Sequence, residues 1–158
     1  MMRIGFGEDI HLLVEGRELK LGGVTIPSER GALGHSDADA LLHAISDALL
    51  GAVAAGDIGK LFPPSDPTIK GINSVKILQK CIEIVDEAGY RIVNVDANVV
   101  TEKPRLRPYI DLIREHLAKA MGIPMNCVSV KAKTNEGCDE VGKGNAIRTN
   151  AVVLLEEK

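Results

Sequence analysis

In the segment GFGEDIH, Asp9 and His11 stand two residues apart, a spacing that points both side chains to one side of an extended chain, roughly 7 Å apart. A carboxylate and an imidazole so placed, joined by an imidazole from a helix, supply three ligands and leave a fourth tetrahedral position open, as catalytic zinc sites do. His43 is the candidate third ligand. It belongs to a row in which Asp39, His43 and Asp47 are spaced by four, with Ser36 extending the line. Such a row on an otherwise apolar helix is costly to bury unpaired, so solvent, salt bridges or a bound ion must compensate it. The spacing has neither the HExxH nor the paired CxxC pattern, so on residues alone the ion is one reading among these.

Three further clusters suit phosphate chemistry. In HSD, His35 and Ser36 fall where a helix N-terminus is expected, with free N–H groups and a dipole that attract anions. In DIGKLFP, Asp57 lies beside two glycines and could accept hydrogen bonds from sugar hydroxyls, or could simply end a helix. In KAKTNEG, Lys131, Lys133, Thr134 and Glu136 stand at a strand end, offering donors to phosphate and one carboxylate to a divalent cation.

The elements that must carry these groups follow from apolar periodicity. Residues 2–8 read as a strand, as do the stretches containing Leu19, Leu21, Val24 and Ile26 on either side of Gly22-Gly23, where the glycines mark a tight turn or bulge. The run from Ser36 to about Ala55 predicts a helix that opens on a good cap residue. Beyond the Gly/Pro-rich GDIGKLFPPSDP, a second helix is expected from Ser74 to Ala88, stopping at Gly89. From Ile92 to Val100, Val93, Val95, Ala97 and Val99 alternate with Asn94, Asp96 and Asn98, the mark of a strand with one buried face. Pro108 suits a first helical turn; Ile110, Ile113, Leu117 and Met121 keep helical spacing, and Gly122 closes it. Val128, Val130 and Ala132 alternate before the polar TNEG turn, and Ala146 to Leu155 makes a last strand. The expected fold is α/β of the α+β type, a single domain over residues 1–158 with one mainly β-sheet layer covered on one face by helices.

Composition narrows the partners. A chain of 158 residues with 45% hydrophobic residues buries roughly 70% of its unfolded surface, so a metal would serve chemistry rather than hold the fold together. The formal net charge of −3 and an aromatic content of 3% with no Trp remove the footprint of nucleic-acid binding. Cys81, Cys127 and Cys138 form no disulfide framework, which fits a reducing compartment. No signal region opens the chain and its longest apolar stretch, Ala48 to Gly56, is far short of a membrane span; a soluble, cytoplasmic protein is expected.

Taken together and in order, GFGEDIH, GHSDADALLHAISDALLGAVAAGDIGKLFP and KAKTNEG resemble the 2-C-methyl-D-erythritol 2,4-cyclodiphosphate synthases of the non-mevalonate isoprenoid pathway, across nearly the whole chain. The resemblance implies a phosphorus-oxygen lyase acting on 4-diphosphocytidyl-2-C-methyl-D-erythritol 2-phosphate, whose 2-phosphate attacks the β-phosphorus and expels CMP. It implies that Asp9, His11 and His43 hold zinc or a similar ion and that Glu136 helps hold a second cation, magnesium or manganese. His35 and Thr134 match the transition-state-stabilising positions. Ile10, Ser36, Asp57, Ile58, Gly59, Phe62, Asp66, Lys133 and Asn135 match substrate-contacting positions. Thr101, Pro104, Arg105, Leu106 and Arg107 fall where the family encloses cytosine and ribose, partly from a neighbouring subunit, so a homotrimer with sites between subunits is expected.

Several positions depart from the family pattern. Pro64 replaces a frequent acidic residue, Lys133 and Asn135 replace the hydroxyls of a common TTTE form, and Glu140 stands where an aromatic is common. Lys143 replaces an arginine of the trimer's central channel, keeping charge but losing the bidentate fork that grips a diphosphate. On the residues alone, a metal-dependent phosphohydrolase and a nucleotide- or isoprenoid-binding module are the rival readings.

Overall fold

The computed structural model describes residues 1–158. Its main sheet has five strands in the order β4-β1-β7-β5-β6, where β1 is Met2–Glu15, β4 Arg30–Ala32, β5 Tyr90–Val100, β6 Val128–Lys133 and β7 Ala146–Glu157. All neighbours are antiparallel except β5 and β6, which run parallel across the crossover helix that joins them. A small hairpin, β2 (Leu19–Leu21) and β3 (Val24–Ile26), turns at Gly22-Gly23, both at positive φ. The helices are α1 (Ala40–Ala52), α2 (Ile58–Leu61), α3 (Ser74–Glu87), α4 (Ile110–Met121) and α5 (Asp139–Gly142). This is the expected α+β layer, with α1, α3 and α4 contributing to one core against the sheet.

α1 lies directly on β1. Its Leu41, Leu42, Ile45, Leu49 and Leu50 are fully buried, and small residues on the other strip, Ala44 and Ala48, meet the strand. A Cβ at Gly5 would fall 1.8 Å from the Ala48 carbonyl oxygen, and one at Gly7 2.0 Å from that of Ala44. Only glycine at these two positions lets helix and strand backbones touch. The buried Thr149 hydroxyl, donating to Ala40 O at 2.7 Å, pins the start of the helix to β7.

Three boundaries differ from expectation. β1 runs to Glu15, well beyond residue 8, because it pairs with β7 as far as Leu12 and then with β4. α1 starts at Ala40, not Ser36: Ser36 Oγ and Asp37 Oδ1 accept from Ala38 and Asp39 N–H, and Ala38 sits at φ 56°, so side chains compete with the helix for its first donors. β5 carries a bulge between Ile92 and Asn94, which removes Val93 from the buried face while Val95, Ala97 and Val99 keep it.

The far face of the sheet is uncovered. Ile4, Phe6, Ile10 and Leu12 of β1 and Val152 of β7 are exposed there, opposite the helix-facing parity of Gly5, Gly7, Asp9 and His11. The three cysteines are free, and no helix is long and apolar enough to cross a membrane.

Candidate metal centre and phosphate-binding surface

Asp9 and His11 continue the helix-facing parity of β1 just past the two glycines, and His43 stands on the first turn of α1 above them. The close backbone contact therefore delivers one imidazole from the helix to two ligands on the strand. His11 Nε2 is 2.6 Å and His43 Nδ1 2.9 Å from Asp9 Oδ2, and the three candidate ligand atoms lie within 4.8 Å of one another. The spacing argument that Asp9 and His11 would face one side of a strand and meet a helical histidine is met by this geometry.

The donor set fits a divalent ion. His11 Nδ1 is 2.8 Å from the Leu33 carbonyl, which can only accept, so Nδ1 carries a proton and Nε2 is the nitrogen that can give its lone pair to an ion in the cluster. Burial pushes the Asp9 carboxyl up, but hydrogen bonds from His11 and His43 outweigh it and hold the group at about 2. Burial lowers His11, and the hydrogen bond and charge of Asp9 reverse this and leave it raised. The carboxylate is thus ionised at any physiological pH and two imidazoles converge on it.

Ser36 lies within the same cluster, its Oγ 3.1 Å from His43 Nε2. His35 and Ser36 precede α1 by a bend rather than forming its N-terminus, since Asp39 is the cap. Asp39 and Asp47, which share a row with His43, are compensated by backbone N–H groups and not by an ion. Asp39 is fully buried and accepts from the N–H groups of Gly22, Gly23 and Leu42, tying the hairpin turn to the helix start. Asp47, raised by burial, accepts from Ile58 N at 2.8 Å and so fixes the segment that follows α1. In that segment Asp57 caps α2 through Lys60 N, Gly59 lies within the helix, Ile58 and Phe62 pack on the core, and Asp66 caps the next turn. Ile10 turns its side chain to the opposite face; its N–H donates to Asp9 Oδ1 at 3.0 Å.

A second group of expected site residues gathers at the ends of β5 and β6. Thr101, Pro104, Arg105, Leu106, Arg107, Lys133 and Thr134 line one cleft of about 460 Å³. Thr134 Oγ1 donates to Glu136 Oε1 at 3.2 Å, while Asn135 is held by Glu102, through its N–H at 2.8 Å, and by Arg148 at 3.1 Å. Lys143 lines an adjacent cleft of about 710 Å³ with Arg30, Lys103 and Arg105, and pairs with Glu140. β6, which Thr134 and Glu136 follow, lies three strands and so about 14 Å across the sheet from β1, and neither residue belongs to the Asp9, His11 and His43 group. One chain does not bring the two groups together.

Residue reasoning missed Ser74, whose hydroxyl is 2.9 Å from His43 Nε2, and left Asp37 without a role although it hydrogen-bonds Ser74. It also missed Glu102 and Arg148. Asp37 lay inside the HSD motif, but nothing in sequence spacing links residue 74 to residue 43.

Comparison with known proteins supplies independent findings. The YgbB family model matches residues 2–156. The Gloeobacter violaceus 2-C-methyl-D-erythritol 2,4-cyclodiphosphate synthase is 58% identical over 156 residues, covering 99% of this chain and 96% of that protein. The Moorella thermoacetica protein of the same name is 54% identical over 157 residues, with coverage of 99% and 96%. A solved 2C-methyl-D-erythritol-2,4-cyclodiphosphate synthase in its CDP-bound form superposes with a TM-score of 0.91 at 40% identity, covering 98% of this chain and all of that one. The Plasmodium falciparum IspF–CDP complex superposes with a TM-score of 0.87 at 36% identity, covering 99% and 97%.

Proposed function

Because the chain belongs to the 2-C-methyl-D-erythritol 2,4-cyclodiphosphate synthase family, and is thereby a cyclising enzyme of isoprenoid biosynthesis, we propose a reaction path and a role for each part of its site. The substrate is 4-diphosphocytidyl-2-C-methyl-D-erythritol 2-phosphate. An oxygen of its 2-phosphate forms a bond to the β-phosphorus, the bond from that phosphorus to the CMP oxygen breaks, and CMP leaves as the eight-membered cyclic diphosphate closes.

The observation that carries this reading is the convergence of Asp9, His11 and His43, with His11 Nδ1 held on the Leu33 carbonyl and Nε2 directed inward. These three side chains would hold a divalent ion, zinc in our reading, and Glu136 would help hold a second, magnesium or manganese. When bound, such ions supply charge neutralisation at the diphosphate oxygens. Nucleophile and electrophile belong to one molecule, so the protein needs no nucleophile of its own and its residues position the two ends. His35, Ser36 and Thr134 donate to phosphate oxygens; Asp57, Ile58 and Gly59 bind the erythritol diol; Thr101 and residues 104–107 enclose the cytidine; Ile10, Phe62, Asp66, Lys133 and Asn135 complete the walls.

One diphosphate must contact both cations, yet Glu136 follows β6, a strand three places and about 14 Å from the β1 that carries Asp9. That span supports a site completed by a neighbouring copy, and the uncovered apolar face of Ile4, Phe6, Ile10, Leu12 and Val152 supports a homotrimer closed over this surface. Lys143 keeps the charge of the proposed channel but lacks the bidentate fork of arginine, which weakens any grip on a diphosphate there. We place the enzyme in the cytoplasm.

The test is phosphorus NMR of turnover in water enriched in oxygen-18. Conversion to CMP and a cyclic diphosphate without label is expected, and His43→Ala should abolish it. Ring-opened, labelled product would make the chain a phosphohydrolase, and CDP binding without turnover would make it a nucleotide-binding module.

A further inference from the structure

A metal-binding imidazole works only if its other nitrogen carries the ring proton, and a hydrogen-bond partner on that nitrogen decides whether it does. For His11 the partner is the Leu33 carbonyl, an acceptor with no alternative. His43 has no such carbonyl. Its Nε2 faces two hydroxyls, Ser74 Oγ at 2.9 Å and Ser36 Oγ at 3.1 Å, each of which can donate or accept. Left to themselves, these hydroxyls could turn a proton onto Nε2 and force the ring proton to Nδ1, the nitrogen that faces Asp9.

Asp37 removes this choice. Its carboxylate, acceptor only, takes a hydrogen bond from Ser74 Oγ through Oδ1 and another from Ser74 N–H at 3.1 Å through Oδ2. The single proton of the buried Ser74 hydroxyl is therefore committed to Asp37. Ser74 Oγ presents a lone pair to His43, and a lone pair on Nε2 as well would leave two acceptors facing each other at 2.9 Å. Nε2 must carry a proton, and Nδ1, which faces Asp9 Oδ2, is the nitrogen whose lone pair an ion placed between the two can take. Ser36 Oγ, already accepting from Ala38 N–H at 3.0 Å, cannot donate to a protonated nitrogen, so its own proton turns outward.

We propose that Asp37, acting through Ser74, fixes the ring tautomer of His43 and thereby sets the affinity of the cluster for its ion. Ser74 and Asp37 are positioning residues: neither belongs to the three-ligand group, and they join a loop and the first residue of α3 to a ligand on α1. The relay rests on the reading of Asp9, His11 and His43 as a metal site, and the experiment separates the two.

The full-length protein, labelled with ¹⁵N in histidine and loaded with zinc, is followed by long-range proton–nitrogen NMR, and zinc affinity is measured by chelator competition. The wild type should show His43 protonated at Nε2. Ser74→Ala should weaken zinc binding about 10–100-fold and shift the His43 Nε2–H resonance as its acceptor is lost, and Ser74→Thr, which keeps the hydroxyl, should restore both. Asp37→Asn should weaken binding as well, and adding it to Ser74→Ala should cost little further zinc affinity, because Asp37 reaches His43 only through that hydroxyl. A proton on Nδ1 in the wild type overturns the relay without any variant. Unchanged affinity in Asp37→Asn, or losses that multiply in the double variant, overturns it too. A wild type that binds no zinc defeats the metal reading and the relay with it; a wild type that binds zinc while the variants match it defeats the relay alone.

Discussion

Asp9 Oδ2 is shared by two imidazoles, and that sharing fixes how the metal-free protein responds to pH. Asp9 is held at about 2 against an ordinary 3.8, so its contribution to stability is full above 3.8 and is lost as pH falls toward 2. His11 is raised above 6.5, so its contribution is full below 6.5 and is lost as pH rises through the folded value. Together they favour the metal-free fold most between about pH 4 and 6.5. In chelator, the thermal midpoint of the wild type should exceed that of His11→Asn most clearly near pH 5, with the gap narrowing by pH 9; a constant gap would mean that His11 stabilises by packing alone. At this scale the sequence carried the triad, because a two-residue spacing on a strand has a fixed geometric meaning. It could not carry Ser74, whose partner is 31 residues away and is met only through tertiary packing.

Elements were legible where periodicity was clean and obscure where local hydrogen bonds intervened. The alternation in β5 and the helical spacing of α3 and α4 announced those elements; the late start of α1 depends on Ser36 and Asp37 bonding their own loop, which composition does not reveal. β4, three residues long, has too little pattern to be read. The cap of α1 yields a test: Asp39→Ala removes the helix cap, worth roughly 1 kcal/mol, and strands the Gly22 and Gly23 N–H groups, at about 1–3 kcal/mol each when buried. Urea denaturation should show a loss well beyond an ordinary capping change, and a loss under about 1 kcal/mol would mean that the hairpin turn holds itself. The β1–α1 contact gives another. Gly7→Ala forces a methyl group against the Ala44 carbonyl and should cost about 3 kcal/mol, lowering the thermal midpoint by roughly 6–12 °C, whereas Gly51→Ala, inside α1 with nothing nearer than 3.9 Å, should not show this steric loss.

At the scale of the whole molecule, the sheet has one face buried under helices and the other open, with both the open face and the distance between the two site clusters pointing to copies of the chain around it. Phe6→Glu places a charge in the middle of the open face. Sedimentation should show smaller species than the wild type, with loss of turnover but retained zinc affinity, since all three candidate ligands come from one chain. Assembly unchanged by this charge would move the interface elsewhere. The glycines at positions 5 and 7 have a wider consequence. They set how near a helix-borne nitrogen comes to a strand-borne oxygen, and so act as the gauge of the cage in which an ion must fit. A side chain added there would pry the jaws open by about an ångström or more, and the cage would lose its grip on a small ion.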